Sequence, residues 1–504
     1  MMIKQRGYLG IALLALTASS FGYGDQATLT RILEEGKNRN RGYQTLTELC
    51  TKIGPRLTGS THLERAKIWA MDKFKSYGLQ NVHLEEWGTV EVGFERGPRQ
   101  SVKLIAPYEA ALTYTTPCWT VGTSGPVQGK VMVSPTTAAD AEAKKGELKG
   151  AWILMPGTVG MRAADYRKPS ELDLKIDTYG IAGRIYTTGV DLVWTGGTWR
   201  DYTDENRPKT PLIVVPKKDY DLMKFNVDKD RSPILEVNIE NRFLRKPIPQ
   251  HNVVAEIPGT EKPDEVVIVS GHLDSWNGPG SQGASDNGTG SCATIEAARI
   301  LMASGAKPKR TIRFILWTGE EQGLLGSTAY VDKHKDELDK IMAVLVEDSG
   351  QNYHASIAGL PNMMEILQTS VGPMADAFPE MPVAAREVTR MSRSGSDHVP
   401  FLLKGVPAFF MGKGGNLSYR HVWHTQNDRP TEVPEANMRQ MSTNLAVLSY
   451  NLSCSPEMMP RVALSSTVHD DHQVGGYFEE GDSFTCKCSE HLEVALQLQM
   501  KPFR

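Results

Sequence analysis

Six imidazole and carboxylate groups close strand-like runs, or sit in the loops after them, in the C-terminal half of this 504-residue chain. VVIVSGH ends in His272, FILWTGEE in the pair Glu320 and Glu321, and AVLVED in Asp348. The loop GASDNGTG contributes Asp286, and WHTQND contributes His424. Nitrogen and carboxylate-oxygen donors with an open position suit a catalytic zinc ion. Two such ions about 3.5–4 Å apart need one shared carboxylate and two further protein ligands each. That uses five of the six groups and leaves one as a base, so the inventory predicts two Zn2+ per chain. Water held between two zinc ions loses a proton near neutral pH, and a neighbouring carboxylate can take that proton and return it to a leaving amine. If the Glu320–Glu321 backbone is extended, the two side chains point apart, one to ligate and one to face the water. Asp274, two residues after His272, is expected to hydrogen-bond the second ring nitrogen and fix its tautomer.

Such groups converge only if the elements carrying them line up. EVVIVSGH, RTIRFILW, IMAVLVED and VPAFFMG read as strands, with the helical patterns GSCATIEAARILMAS and GSTAYVDKHKDEL between them. Alternation of this kind predicts an α/β fold with a central, mostly parallel mixed sheet flanked by helices. Ligands of such sheets bind beyond the carboxyl ends of the strands, where these residues fall. Upstream, TLTRILEEGKNRNRGYQTLTELCTKIG reads as one amphipathic helical stretch. THLERAKIWAMDKFKSYG reads as a second, capped by Ser60 or Thr61 and closed by Gly78, before the strand-like VHLEEWGTVEV. Between about Thr113 and Glu240 the chain turns Gly- and Thr-rich with short apolar runs, which predicts an inserted β-rich unit with few helices.

HNVVAEIPGTEKPDEVVIVSGHLDSW, GASDNGTG, RFILWTGEEQGLLGS and the His-Thr-x-x-Asp of HTQND together resemble the co-catalytic zinc exopeptidases. NRGYQTLTELCTKIGPRLTGSTHLERA narrows the likeness to the plasma glutamate carboxypeptidase (carboxypeptidase Q) branch. The resemblance covers most of 38–112 and 245–455. It implies that His272 and Asp348 hold one zinc, Glu321 and His424 the other, that Asp286 bridges them and that Glu320 is the base. It implies a cis peptide after Asp286, a substrate that is a dipeptide or short peptide, and a protease-associated-like insert. It also adds a homodimer as one option. Many relatives carry Tyr before the last His ligand, where it stabilises an oxyanion; Trp423 stands there in this chain.

The domain reading is a signal peptide at 1–24, catalytic parts at 25–112 and 245–462 around the insert at 113–244, and a polar tail at 463–504. Lys4 and Arg6 followed by YLGIALLAL predict a cleaved export signal, hence a secreted or periplasmic protein. That apolar stretch is too short for a membrane span. With 56 basic and 59 acidic residues, charge offers no reason to expect nucleic acid as a partner. Six scattered cysteines form no disulfide framework or zinc pair. His354, His398 and His421 read as ordinary hydrogen-bonded core histidines, with Asp397 and His398 as supports for the site at most. HDDH in the tail reads as a solvated acidic run, and the glycosylation pattern Asn287-Gly288-Thr289 as accidental. An aminopeptidase acting on longer peptides, a single-zinc aminoacyl cyclase and a metal-free receptor-like relative are the alternatives.

Overall fold

The computed structural model describes residues 22–160, 170–197, 209–348, 350–392 and 395–463, with the backbone of 468–469. Residues 1–21 of the segment 1–24 read as an export signal, Asp470 to His472 of HDDH, Cys486 and Cys488 lie outside the described residues. In chain order the strands begin with β1 (Gln80–Val90), β2 (Gly93–Ala106), β3 (Ala110–Ala111), β4 (Val127–Val133), β5 (Trp152–Leu154), β6 (Gly183–Thr187), β7 (Leu212–Val215) and β8 (Ile234–Leu244). They continue with β9 (Ile248–Ile257), β10 (Lys262–His272), β11 (Arg310–Trp317), β12 (Ile341–Val346), β13 (Tyr353–Gly359), β14 (Ala384–Glu387), β15 (Met391–Ser392) and β16 (Ala408–Gly414).

Two sheets result. The first has the order β1-β9-β11-β10-β12-β16-β13-β14. Its centre, β11, β10, β12 and β16, is parallel, and β9 and β13 run antiparallel to their central neighbours. The apolar runs of β10 and β12 are buried on both faces, which is why they show no in–out alternation. Helices Gln26–Asn38, Thr61–Ser76, Thr289–Ala303 and Glu435–Cys454 pack against this sheet in one core. The second sheet, β3-β2-β8-β4-β5-β6-β7, has a core of its own around Trp152, Ile213 and Leu235. It takes in β2, so its first strand starts at Gly93, twenty residues before the composition changes: β1 and β9 pair in the first sheet, and β2 and β8 in the second. It also carries helices Ala138–Ala143, Glu171–Asp177 and Lys217–Asp228, more helix than its texture suggests.

Two helical readings change. The first amphipathic stretch breaks at 39–41, because the Asn40 side chain accepts from the Gly42 amide and Glu296 accepts from the Arg41 amide, ending one helix and starting another. Helix Glu435–Cys454 escapes periodicity altogether because it is buried nearly all round. Its polar residues find internal partners: Thr443 donates to the Arg439 carbonyl and Asn451 to the Ser370 carbonyl. The second helix behaves as read: Ser60 accepts from the Leu63 amide and Gly78 takes a positive φ of 85°.

At the far edge of the first sheet, Glu85 on β1 pairs with Lys333 and His334, each at 2.8 Å. Burial opposes its charge, but these two partners outweigh it and hold the carboxyl at about 2. A carboxyl depressed in the folded state stabilises above its unfolded pKa of about 4.3, and that contribution disappears as pH falls through the folded value. Glu85→Gln should therefore lower the melting temperature at pH 7, and the gap from wild type should close between about pH 4 and 2. Melts at pH 7, 4 and 2.5 check this; a gap that does not depend on pH would contradict it.

Candidate metal centre

His272 is the last residue of β10, and its ring is fully buried. Glu320 and Glu321 follow β11, Asp348 follows β12, Asp286 lies in the irregular turn Ala284–Gly288, and His424 follows the short helix Tyr419–Val422 beyond β16. All six groups thus meet at the carboxyl edge of the four parallel strands. His272 Nε2 lies 3.2 Å from Asp348 Oδ1 and 3.3 Å from Asp286 Oδ1. His424 Nε2 lies 3.0 Å from Glu321 Oε2 and 3.0 Å from Asp286 Oδ2. Two triads result, His272–Asp286–Asp348 and Asp286–Glu321–His424, each compact enough to hold a metal ion. Asp286 belongs to both and gives a different oxygen to each. Glu320 joins neither; its Oε2 sits 3.9 Å from His272 Nε2.

The donor set fits cations. Ion pairs among the described residues bring no lysine or arginine onto Asp286, Glu320, Glu321 or Asp348. Buried carboxylates this close need positive partners. Burial, with Asp286 beside it, pushes Glu321 up to about 7, and burial raises Glu320 well above the usual carboxylate range. Burial works against a charged His424 ring, yet Glu321 and Asp286 overcome this and lift it to about 10.

Several supports differ from the sequence reading. Glu320 and Glu321 sit in a tight turn rather than extended chain, since the Gly323 and Leu324 amides both donate to the Glu320 carbonyl. Asp274 contacts His272 mainly through its main chain: its carbonyl lies 3.0 Å from Nδ1, whereas its carboxylate oxygen is 3.7 Å away. That carboxylate is already occupied by the Thr58 hydroxyl and by the amides of Glu320 and Glu321. It holds the Glu-Glu turn while staying within ion-pair reach of the imidazole. Ser396, which pattern reading missed, donates to Asp348 Oδ2 at 2.6 Å. Asp397 and His398 are buried beside it, and burial pushes Asp397 up to about 8. His398 lies 3.2 Å from the Ser392 carbonyl, and His354 pairs with Glu347, but His421 is exposed, not a core residue. Buried Asn287 donates to the Glu347 carbonyl, so it is not a free glycosylation site.

The Asp286–Asn287 peptide is cis. Trp423 stacks on the His424 ring with centroids 4.4 Å apart. His424 itself has φ of +52°, a conformation uncommon for a residue with a side chain. Its carbonyl is held by the Thr195 amide at 2.7 Å, and Trp194 bridges to Thr425, so the loop after β6 of the second sheet reaches the rim of the site. Gly290 opens the helix behind Asp286, where an added Cβ would collide with the Glu347 carbonyl. Gly290→Ala should push the end of β12, with Asp348, out of place and cost about 1–3 kcal/mol together with most metal affinity. A variant with wild-type melting and metal content would contradict that placement.

Residues 252–449 match Peptidase family M28. Carboxypeptidase Q from Bos taurus is 28% identical over 456 residues, covering 87% of this chain and 91% of its own; that from Homo sapiens is 28% identical over 444 residues, covering 84% and 88%. Over 252–449 the chain is similar to peptidase family M28, and over most of its length to the carboxypeptidase Q-like branch. Solved structures agree on the fold. A peptidase M28 precursor from Shewanella amazonensis superposes on this chain with a TM-score of 0.63 at 22% identity, covering 87% of this chain and 98% of that one. A zinc aminopeptidase from Bacillus subtilis gives 0.51 at 19% identity, covering 81% and 94%. No helix among the described residues is long and apolar enough to cross a membrane.

Proposed function

We propose that this chain is an exported zinc exopeptidase that hydrolyses dipeptides or short peptides, with Glu320 as general base. A metallo-exopeptidase is what the matching family and the relatives named carboxypeptidase Q support. One observation carries the finer reading: the two oxygens of Asp286 face two separate histidine–carboxylate pairs. In this reading His272 and Asp348 hold one zinc ion, Glu321 and His424 hold a second, and Asp286 is common to both. Zinc bound there would supply Lewis acidity and lower the pKa of water.

The chain's own residues supply the rest. Asp274, which accepts from the Thr58 hydroxyl and the Glu320 amide, holds the turn that carries Glu320, whose carboxylate can then take a proton and give it back to the leaving amine. Ser396 holds Asp348, and Trp423 covers one face of the His424 imidazole. The second sheet, read as the protease-associated-like insert, touches the rim through 193–197 and would help shape the pocket for the peptide terminus.

Metal content separates the readings: about two ions per chain for the exopeptidase, one for a cyclase, none for a receptor-like protein. Chelator treatment should abolish peptide hydrolysis and added zinc restore it. A panel of dipeptides, N-blocked peptides and C-amidated peptides then shows which terminus is read. Hydrolysis that survives complete metal removal would reject the proposal.

A further inference from the structure

Arg56 is fully buried, and among the described residues its guanidinium meets no carboxylate within ion-pair distance. A buried charge without a counter-ion is costly unless its donors are satisfied. Here backbone carbonyls do that work. Nε donates to the Leu273 carbonyl at 2.6 Å, Nη2 to Gly283 at 2.7 Å, and Nη1 to Gly54 at 3.0 Å and Gln282 at 3.2 Å. Its backbone adds two more ties: the Arg56 amide donates to Ser275 Oγ, and the Ser275 amide donates to the Arg56 carbonyl.

Three of these four carbonyls belong to the two loops that carry His272 and Asp286, and the fourth, Gly54, to the arginine's own loop. Leu273 directly follows His272, and Gln282 and Gly283 lead into Asp286. From the opposite side, the Asp428 carboxylate accepts the amides of Ser285 and Asp286. The segment 282–286 is therefore gripped between a guanidinium on its carbonyls and the Asp428 carboxyl group on its amides. Only a planar fork with donors fixed in direction can reach both loops at once; a lysine ammonium is a single point.

We propose that Arg56 is the positioning residue that sets the separation of His272 from Asp286, and with it the fit of the metal pair. This rests on the di-metal reading of the site. The test uses the full chain with Arg56→Lys and Arg56→Ala, loaded with Co2+ in place of zinc and followed by visible absorption. Both variants should bind the ions about 10–100-fold more weakly than wild type, with an altered absorption band and a kcat that falls more than KM rises. Millimolar guanidinium should restore Arg56→Ala and leave Arg56→Lys unchanged. Wild-type binding and absorption in both variants overturns the assignment, as does full function in Arg56→Lys, which would make charge rather than geometry the cause. If neither variant folds, the arginine serves the fold and the assignment also fails. A wild-type chain that takes up no pair of ions instead sinks the di-metal reading beneath it.

Discussion

Glu320→Gln should bind the same number of metal ions as wild type and lose turnover by about 10²–10⁴-fold, the usual contribution of a positioned general base. The structure separates the two neighbouring glutamates by contact. Glu321 pairs with His424 at 3.0 Å within one triad, whereas Glu320 reaches no closer than 3.9 Å to His272 and stands outside both. Removing its charge should therefore spare the ions. Because the interaction acts on a proton moved during reaction, kcat and kcat/KM should fall together while KM changes little. Metal analysis and steady-state kinetics on the same preparation check this. Near-normal turnover would remove Glu320 as the base, and loss of metal would place it among the ligands.

Asp286→Asn should do what no other ligand substitution does, weakening both metal sites at once. The substitution keeps the shape of the side chain and removes the charge that faces His272 on one side and His424 on the other. Loss of several kcal/mol of charge stabilisation corresponds to about a thousandfold in kcat/KM. Metal content should drop from two ions to one or fewer. Asp348→Asn is the comparison, since Asp348 lies in a single triad and its loss should leave the second site loaded. Two tightly held ions in Asp286→Asn would end the claim that this carboxylate is shared.

Much of this was legible without coordinates because the relevant residues sit at strand ends. The apolar runs of β10, β11 and β12 are buried on both faces, so their ends are sharp, and the rule that sheet ligands gather at carboxyl edges places His272, Glu320, Glu321 and Asp348 together. Asp286 and His424 followed from loops rich in Gly, Asn and Asp next to those strands. Helix Glu435–Cys454 was not legible, since a helix buried all round with its hydroxyl and amide groups bonded internally shows no amphipathic stripe. The second sheet's start at Gly93 was hidden for a similar reason: β1 and β2 form one nearly continuous run of strand, and only pairing partners decide which sheet each joins.

What the amino-acid order determined by itself was the inventory: which groups could ligate, and the edge of the sheet where they belong. Tertiary structure alone decided how those groups are aimed. The carboxylate of Asp274 holds the glutamate turn as well as facing the imidazole, Ser396 arrives from a distant loop to hold Asp348, and Arg56 ties the loops of His272 and Asp286 through carbonyls that every residue possesses. Ligand identity is written in side-chain chemistry, which sequence spells out; orientation depends on backbone amides and carbonyls brought close by folding, and those carry no residue-specific signature.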